Sequence, residues 1–393
     1  MIGISKLYLN KVEVSDPLRY GRHSAKLPSH LLQFSQDKKP VVVWNVTSRC
    51  NLACTHCYAS VDQNCGNELS TEQALTVIDD LAAFGAPVLL FSGGEPFTRP
   101  DILTLAKHAA QKGLRVVFST NGTLITPALA AQIKAIGASY AGISIDGSEA
   151  VHDRFRRKAG AFKEALNGIR NCREAGVKVG LRVTMTQDNV ADIPAIFDLM
   201  EAEQIPRSCL YHLGYCGRGA DIASHDLPAE LRRATLDVII DKTKAMHDKG
   251  FPIEVLTVDN HCDGPYLYLR MLREKNPHAD EVMQLMRMNG GNSTGHGLAC
   301  ISWDGTVYPD QFWRTKPVGN VLEKPFSQIW GNPPADSLLA QLRQKKERVT
   351  GRCKTCRFLD VCGGNFRARA EAATGELWGV DPACYLTDTE IAR

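Results

Sequence analysis

From Val41 onward, short β-branched runs alternate with longer stretches in which apolar residues recur every three or four positions. "VVVWNVT" (41–47), "APVLLFSGG" (86–94), "LRVVFST" (114–120), "YAGISIDG" (140–147), "VKVGLRVTM" (177–185) and "RSCLYHLG" (207–214) predict six strands. Between them, 70–85, 100–113, 126–137, 160–176 and 192–204 carry helical periodicity. The first opens on Ser70 with Gln73 three residues later and stops at Gly85, the pattern of a capped helix. Strand–helix alternation of this kind implies parallel strands joined by right-handed crossovers. An open doubly wound sheet and a barrel-like sheet both fit, and either places a site at the carboxyl ends of the strands.

The pattern weakens at both ends. Residues 1–40 are broken by Pro, Gly and Ser and predict an N-terminal extension over the main body. A longer helix is expected over 228–249. Residues 250–299 give no clear period, and "GGNSTGHG" (290–297) places a domain boundary near 290. Beyond it come short strand signals and a charged helix around 335–349. The expected division is 1–40, 41–290 and 291–393.

Composition changes this picture little. A chain of 393 residues with 44% hydrophobic and 23% charged content is ordinary for a globular protein. A formal net charge of +3 gives no global case for nucleic acid or for an anionic membrane. No apolar run is long enough to span a bilayer, and the start lacks a secretory pattern, so a cytoplasmic protein is expected.

The thirteen cysteines do change it. They bunch near positions 50–65 and 353–384, which suits metal binding better than a disulfide framework. "CNLACTHCYA" (50–59) leaves the first strand with Cys50, Cys54 and Cys57. Three thiols so close suit an iron–sulfur cluster with one open iron, or a zinc site that borrows Cys65 or His56. "CKTCRFLDVCGGNF" supplies Cys353, Cys356 and Cys362, and Cys384 follows. This is a four-thiolate set for either metal.

The CxxxCxxC loop with Tyr58 behind it, "SGGEP" (92–96), "STNG" (119–122), "ISIDG" (143–147), "HDRFR" (152–156) and "GLRVTM" (180–185) together resemble the radical S-adenosylmethionine (SAM) enzymes over about 40–220. The resemblance implies an α/β fold, a partial (β/α)6 TIM-like barrel with a small C-terminal iron–sulfur domain. It implies a [4Fe–4S] cluster on Cys50, Cys54 and Cys57, whose free iron takes the methionine amino and carboxylate groups of SAM. Tyr58, Gly93, Gly94, Glu95, Asn121, Ser144 and Arg156 are the expected cofactor-binding residues.

The C-terminal pattern resembles the SPASM extension of that family, with departures. Asp310 ends "GTVYPD" where the extension has cysteine, Phe366 stands at another such position, and no cysteine lies in 289–295. The survivors Cys353, Cys356, Cys362 and Cys384 imply one auxiliary [4Fe–4S] cluster. Cys172, Cys209, Cys216, Cys262 and Cys300 read as small buried apolar residues.

Within the family, the stretches around 1–60 and 210–219 look most like the branch that removes acetate side chains from 12,18-didecarboxysiroheme to give iron-coproporphyrin III. The branch that converts propionates of the same substrate to oxo groups in heme d1 synthesis, and the peptide-modifying branch, are the alternatives. A siroheme-derived tetrapyrrole is the expected partner, with a reducing electron donor such as a ferredoxin or flavodoxin. For the carboxylate-rich ring, Arg218, His212 and Tyr215 are the expected contacts.

Overall fold

The computed structural model describes residues 1–10, 39–61 and 67–392. Most of the expected N-terminal extension, 11–38, and the candidate ligand Cys65 lie outside the described residues.

The six expected strands all form. They are β2 (Val41–Asn45), β3 (Val88–Ser92), β4 (Arg115–Thr120), β5 (Tyr140–Ser144), β6 (Val179–Met185) and β7 (Arg207–His212). Each pairs in parallel with the next in chain order. The sheet continues where the sequence pattern was silent: β8 (Glu254–Val258) adds in parallel beside β7, and β1 (Ile2–Gly3) closes that edge antiparallel to β8. On the other side β9 (Leu298–Ile301) pairs in parallel with β2, and β10 (Thr306–Tyr308) and β11 (Gly319–Asn320) follow antiparallel. The result is one eleven-stranded sheet, so the cysteine-bearing C-terminal part is hydrogen-bonded into the same sheet as the barrel strands.

Side-chain alternation sorts the two faces of this sheet. On β6, Leu181, Val183 and Met185 point to the helices and are fully buried. Arg182 and Thr184 point to the lumen. Trp44, Phe91 and Phe118 stack on the helix side, with ring centroids 6.2 and 5.8 Å apart. Helix Thr71–Phe84 has the expected capping box, since Ser70 and Gln73 satisfy each other's backbone, and it ends on left-handed Gly85. Helix Ala229–Asp248 matches the expected 228–249. Residues 250–299, unreadable by period, hold β8 and the helices Asp263–Arg273 and Ala279–Asn289. The charged stretch around 335–349 forms two short helices, Leu338–Arg343 and Lys345–Arg348. Lys345 is buried there with its ammonium on the carbonyl of Asn292, while Arg343, Glu347 and Arg348 of the same stretch are exposed. Among the described residues no helix is long and apolar enough to cross a membrane.

Candidate active site

A cavity opens at the carboxyl ends of β2 to β7. Cys50, Cys54 and Cys57 line it together with Gly93, Gly94, Asn121, Ser144 and Arg156, which three other loops and one helix bring to the same place. Backbone hydrogen bonds fasten the glycine loop to the cysteine loop: Gly94 N–H donates to Thr47 O and Glu95 N–H to Arg49 O, both at 2.8 Å. A Cβ on Gly94 would stand 1.9 Å from Arg49 O, and one on Gly93 would stand 2.6 Å from Thr47 O. The close approach therefore requires glycine at both positions.

Two of the thiols, Cys50 and Cys54, are desolvated. Burial, with Cys54 and Cys57 nearby, pushes Cys50 up to about 12. Burial also raises Cys54, against the pull of Arg156, whose guanidinium donates to the Cys54 sulfur at 3.5 Å. Cys50 and Cys54, desolvated and close together, are poor thiolates alone and good ones around a cationic cluster. The donor set and the side-chain-free glycine wall fit an iron–sulfur cluster with a small amino-acid ligand beside it. His56, the other candidate ligand, is held near 4 by burial, and its Nδ1 has no hydrogen-bond partner.

The other expected cofactor residues divide. Arg156 pairs with buried Asp146 at 2.6 Å and ends helix Glu149–Arg156 above the thiols. Asn121 donates to Asn51 Oδ1 at 2.8 Å and accepts from Thr123, so it ties the turn after β4 to the cysteine loop. Tyr58 gives its hydroxyl to Asn45 at 2.8 Å and packs its ring on Phe312 at 5.1 Å. Ser144 lines the cavity from the end of β5. Glu95 is fully buried behind the wall. Thr120 Oγ1 and Asn121 N–H donate to its two oxygens at 2.7 Å each, and burial raises it to about 7. Both oxygens are thus engaged by the chain, and Glu95 acts as a staple between two loops.

The expected substrate contacts are differently disposed. Arg218 donates from Nε to Cys54 O at 2.8 Å and from Nη1 to Val61 O at 3.2 Å, so it braces the cysteine loop from beneath. Tyr215 turns away to Asp226 at 2.8 Å. His212 holds Asp263 at 2.9 Å, and Asp263 in turn accepts from Tyr385 at 2.7 Å. His212 and Arg218 line the cavity all the same, each with one buried nitrogen that has no hydrogen-bond partner among the described residues, whereas Tyr215 is not part of its lining. Sequence reasoning missed the lumen residue Arg182, which lines the same cavity beside Tyr211; the signal was the polar alternation along β6.

The second cysteine set also comes together. Burial raises Cys353, Cys356 and Cys362, Cys353 to about 11, and Cys384 lies close enough to add to each shift. Cys262 is not merely a packing residue. Its thiol lies against Cys384, and this contact lowers Cys384 to about 7. Cys172, Cys209 and Cys300 are buried as expected, whereas Cys216 is only half-buried and donates to Tyr58 O. Where further SPASM cysteines would stand, Phe366 packs with Trp313, Leu342 and Ala368, and buried Asp310 accepts from Thr294 at 2.7 Å. Apolar packing and a satisfied carboxylate fill these positions, consistent with a single auxiliary cluster.

Comparisons with known proteins give the family. The radical SAM superfamily model matches residues 44–200, and the iron–sulfur cluster-binding SPASM model matches 294–357. The chain is 58% identical to the Fe-coproporphyrin III synthase of Methanosarcina barkeri, covering 100% of this chain and 99% of that one. It is 40% identical to the pre-heme d1 synthase of Dinoroseobacter shibae, covering 90% and 87%. Streptococcus suis SuiB bound to S-adenosylmethionine shares the fold, with a TM-score of 0.69 at 16% identity over 89% of this chain and 78% of that one.

Proposed function

Since the chain belongs to the radical SAM superfamily and carries its SPASM extension, we propose that it removes the acetate side chains of 12,18-didecarboxysiroheme to give iron-coproporphyrin III. The observation that carries this reading is the end-to-end similarity to the Methanosarcina Fe-coproporphyrin III synthase. The two unequal thiol sets support it. Cys50, Cys54 and Cys57 hold a cluster with one iron left for SAM, and Cys353, Cys356, Cys362 and Cys384 hold a closed auxiliary cluster. A ferredoxin or flavodoxin supplies the electrons.

Bound, the first cluster and SAM supply reductive cleavage of the sulfonium and, with it, hydrogen abstraction. The chain's own share is placement. Gly93 and Gly94 leave room for the methionine moiety, with Ser144 facing it. Arg156 donates to Cys54, and Asp146 fixes the guanidinium. Asn121 and Glu95 lock the two loops that carry these groups, and Arg218 holds the cysteine loop against the end of β7.

Anaerobic incubation of the reconstituted enzyme with 12,18-didecarboxysiroheme, SAM and a reductant, followed by mass spectrometry, tests the reading. Loss of two acetates is the expected result. Oxo groups in place of propionates would move the chain to the reaction of its heme d1 relative, and an unchanged tetrapyrrole would refute both.

A further inference from the structure

Among the described residues three arginines line the cavity, and the chain anchors two of them, although Arg218 Nη2 keeps no partner. Arg156 is paired with Asp146 at 2.6 Å, and Arg218 is bound to two carbonyls of the cysteine loop. Arg182 differs. Among the described residues no carboxylate stands within ion-pair distance of it, and its guanidinium donates to no carbonyl or side chain. Its one close partner is the Tyr211 ring, 4.8 Å from the guanidinium carbon.

This placement is built into the sheet. Arg182 sits opposite Ser144 in the β5–β6 register and points inward with Thr184. Its stem crosses the lumen over Gly142, where a Cβ would stand 2.8 Å from Arg182 Cδ and 3.3 Å from Cγ. Glycine on β5 and tyrosine on β7 thus leave a slot that fits an arginine stem and hold its head over the cavity. Arg182 acts only weakly on Asp259, beyond β8, which burial raises to about 7 and whose backbone carbonyl is bound by Arg369. Asp259 is therefore a weak counter-charge. A desolvated guanidinium without a partner is costly, and its fork matches a carboxylate.

We infer that Arg182 binds the carboxylate of the acetate side chain that the enzyme removes, lowering that side chain into the cavity beside the three cysteines. The inference rests on the tetrapyrrole reading above and deepens it, because the group that enters this cavity is the one that reaches the reacting centre.

The test is an anaerobic absorption titration of the reconstituted enzyme with 12,18-didecarboxysiroheme and with its methyl ester, alongside SAM binding by equilibrium dialysis. Arg182→Gln should raise the Kd for the free acid about 10- to 100-fold, the usual loss for a charge-assisted pair. The penalty for esterifying the ligand should shrink by a similar factor, and Arg182→Lys should lose less. Retained cluster absorbance and far-ultraviolet dichroism establish that the variants fold. Free-acid binding by Arg182→Gln at the wild-type Kd would overturn the inference, as would a loss confined to SAM. A wild-type enzyme that binds no tetrapyrrole would overturn the functional reading first, a distinct result.

Discussion

Arg369, on helix Arg367–Thr374, offers a quantitative test of how the C-terminal part is locked to the barrel mouth. Its guanidinium meets Asp381 with Nε–Oδ1 and Nη2–Oδ2 distances of 2.8 and 2.9 Å, and both residues are fully buried. The remaining donors reach Leu213 O at 3.0 Å and Asp259 O at 2.8 Å, beyond β7 and β8. Asp381 also accepts the N–H groups of Phe366 and Ala383. Arg369→Met keeps much of the volume but strands a buried carboxylate, at a cost of about 3–5 kcal/mol. Each orphaned carbonyl adds about 1 kcal/mol. At about 1.4 kcal/mol per factor of ten, opening of this region should become at least 100-fold more frequent. Hydrogen exchange of peptides covering 366–384, corrected for intrinsic rates, measures it. Burial alone would raise Asp381, but Arg369 outweighs it and holds the carboxyl below its usual range. A depressed folded pKa means that the pair contributes above the unfolded value of about 3.9 and is lost as pH falls through the folded value. Without Arg369 the carboxyl titrates upward instead, so the variant should regain protection on acidification. Arg369→Met combined with Asp381→Asn should regain it at neutral pH. Unchanged exchange in Arg369→Met, or no recovery in the double variant, would refute the reasoning.

Gly94→Ala places a Cβ against Arg49 O at 1.9 Å, so the backbone entering Cys50 must shift, at a cost of about 1–3 kcal/mol; iron content of the first cluster and SAM affinity should both fall, and dialysis with normal SAM affinity would contradict this. Cys54→Ser should abolish 5′-deoxyadenosine formation while leaving the auxiliary cluster's electron paramagnetic resonance signal intact. Cys384→Ser should keep part of the auxiliary iron, because the Cys262 thiol lies beside the vacated position, whereas Cys384→Ser with Cys262→Ser should lose it. Equal iron in the two variants would show that Cys262 is inert.

Much of this molecule was legible in the sequence because β-branched runs and capped helices are local signals. β2 to β7 and helix Thr71–Phe84 fall where the pattern put them. β8, no shorter than β2, β3 or β5, escaped because it follows a 20-residue helix and so falls outside the regular strand–helix spacing of the earlier units. The thiol sets were legible because their spacing is itself the signal. The partners of Arg218, Tyr215 and His212 were not legible for a different reason. They lie at or just past the end of β7, where the direction of a side chain depends on the turn and on partners as distant as Asp263, Asp226 and Val61. Arg182 was within reach: an arginine and a threonine alternating with Leu181, Val183 and Met185 on a parallel strand have only the lumen to face.

The pairing of β9 with β2 also bears on what the barrel would be without its C-terminal part. Val41, Val42, Val43 and Trp44 sit opposite Leu298 to Ile301. A chain ending near 290 would leave this valine-rich strand as a bare sheet edge with open backbone donors and acceptors, a ready template for another copy. Such a fragment should self-associate even where all three SAM-site cysteines are present. In this enzyme the second cluster's carrier is therefore also the guard of β2, and it covers an edge on which barrels would otherwise aggregate.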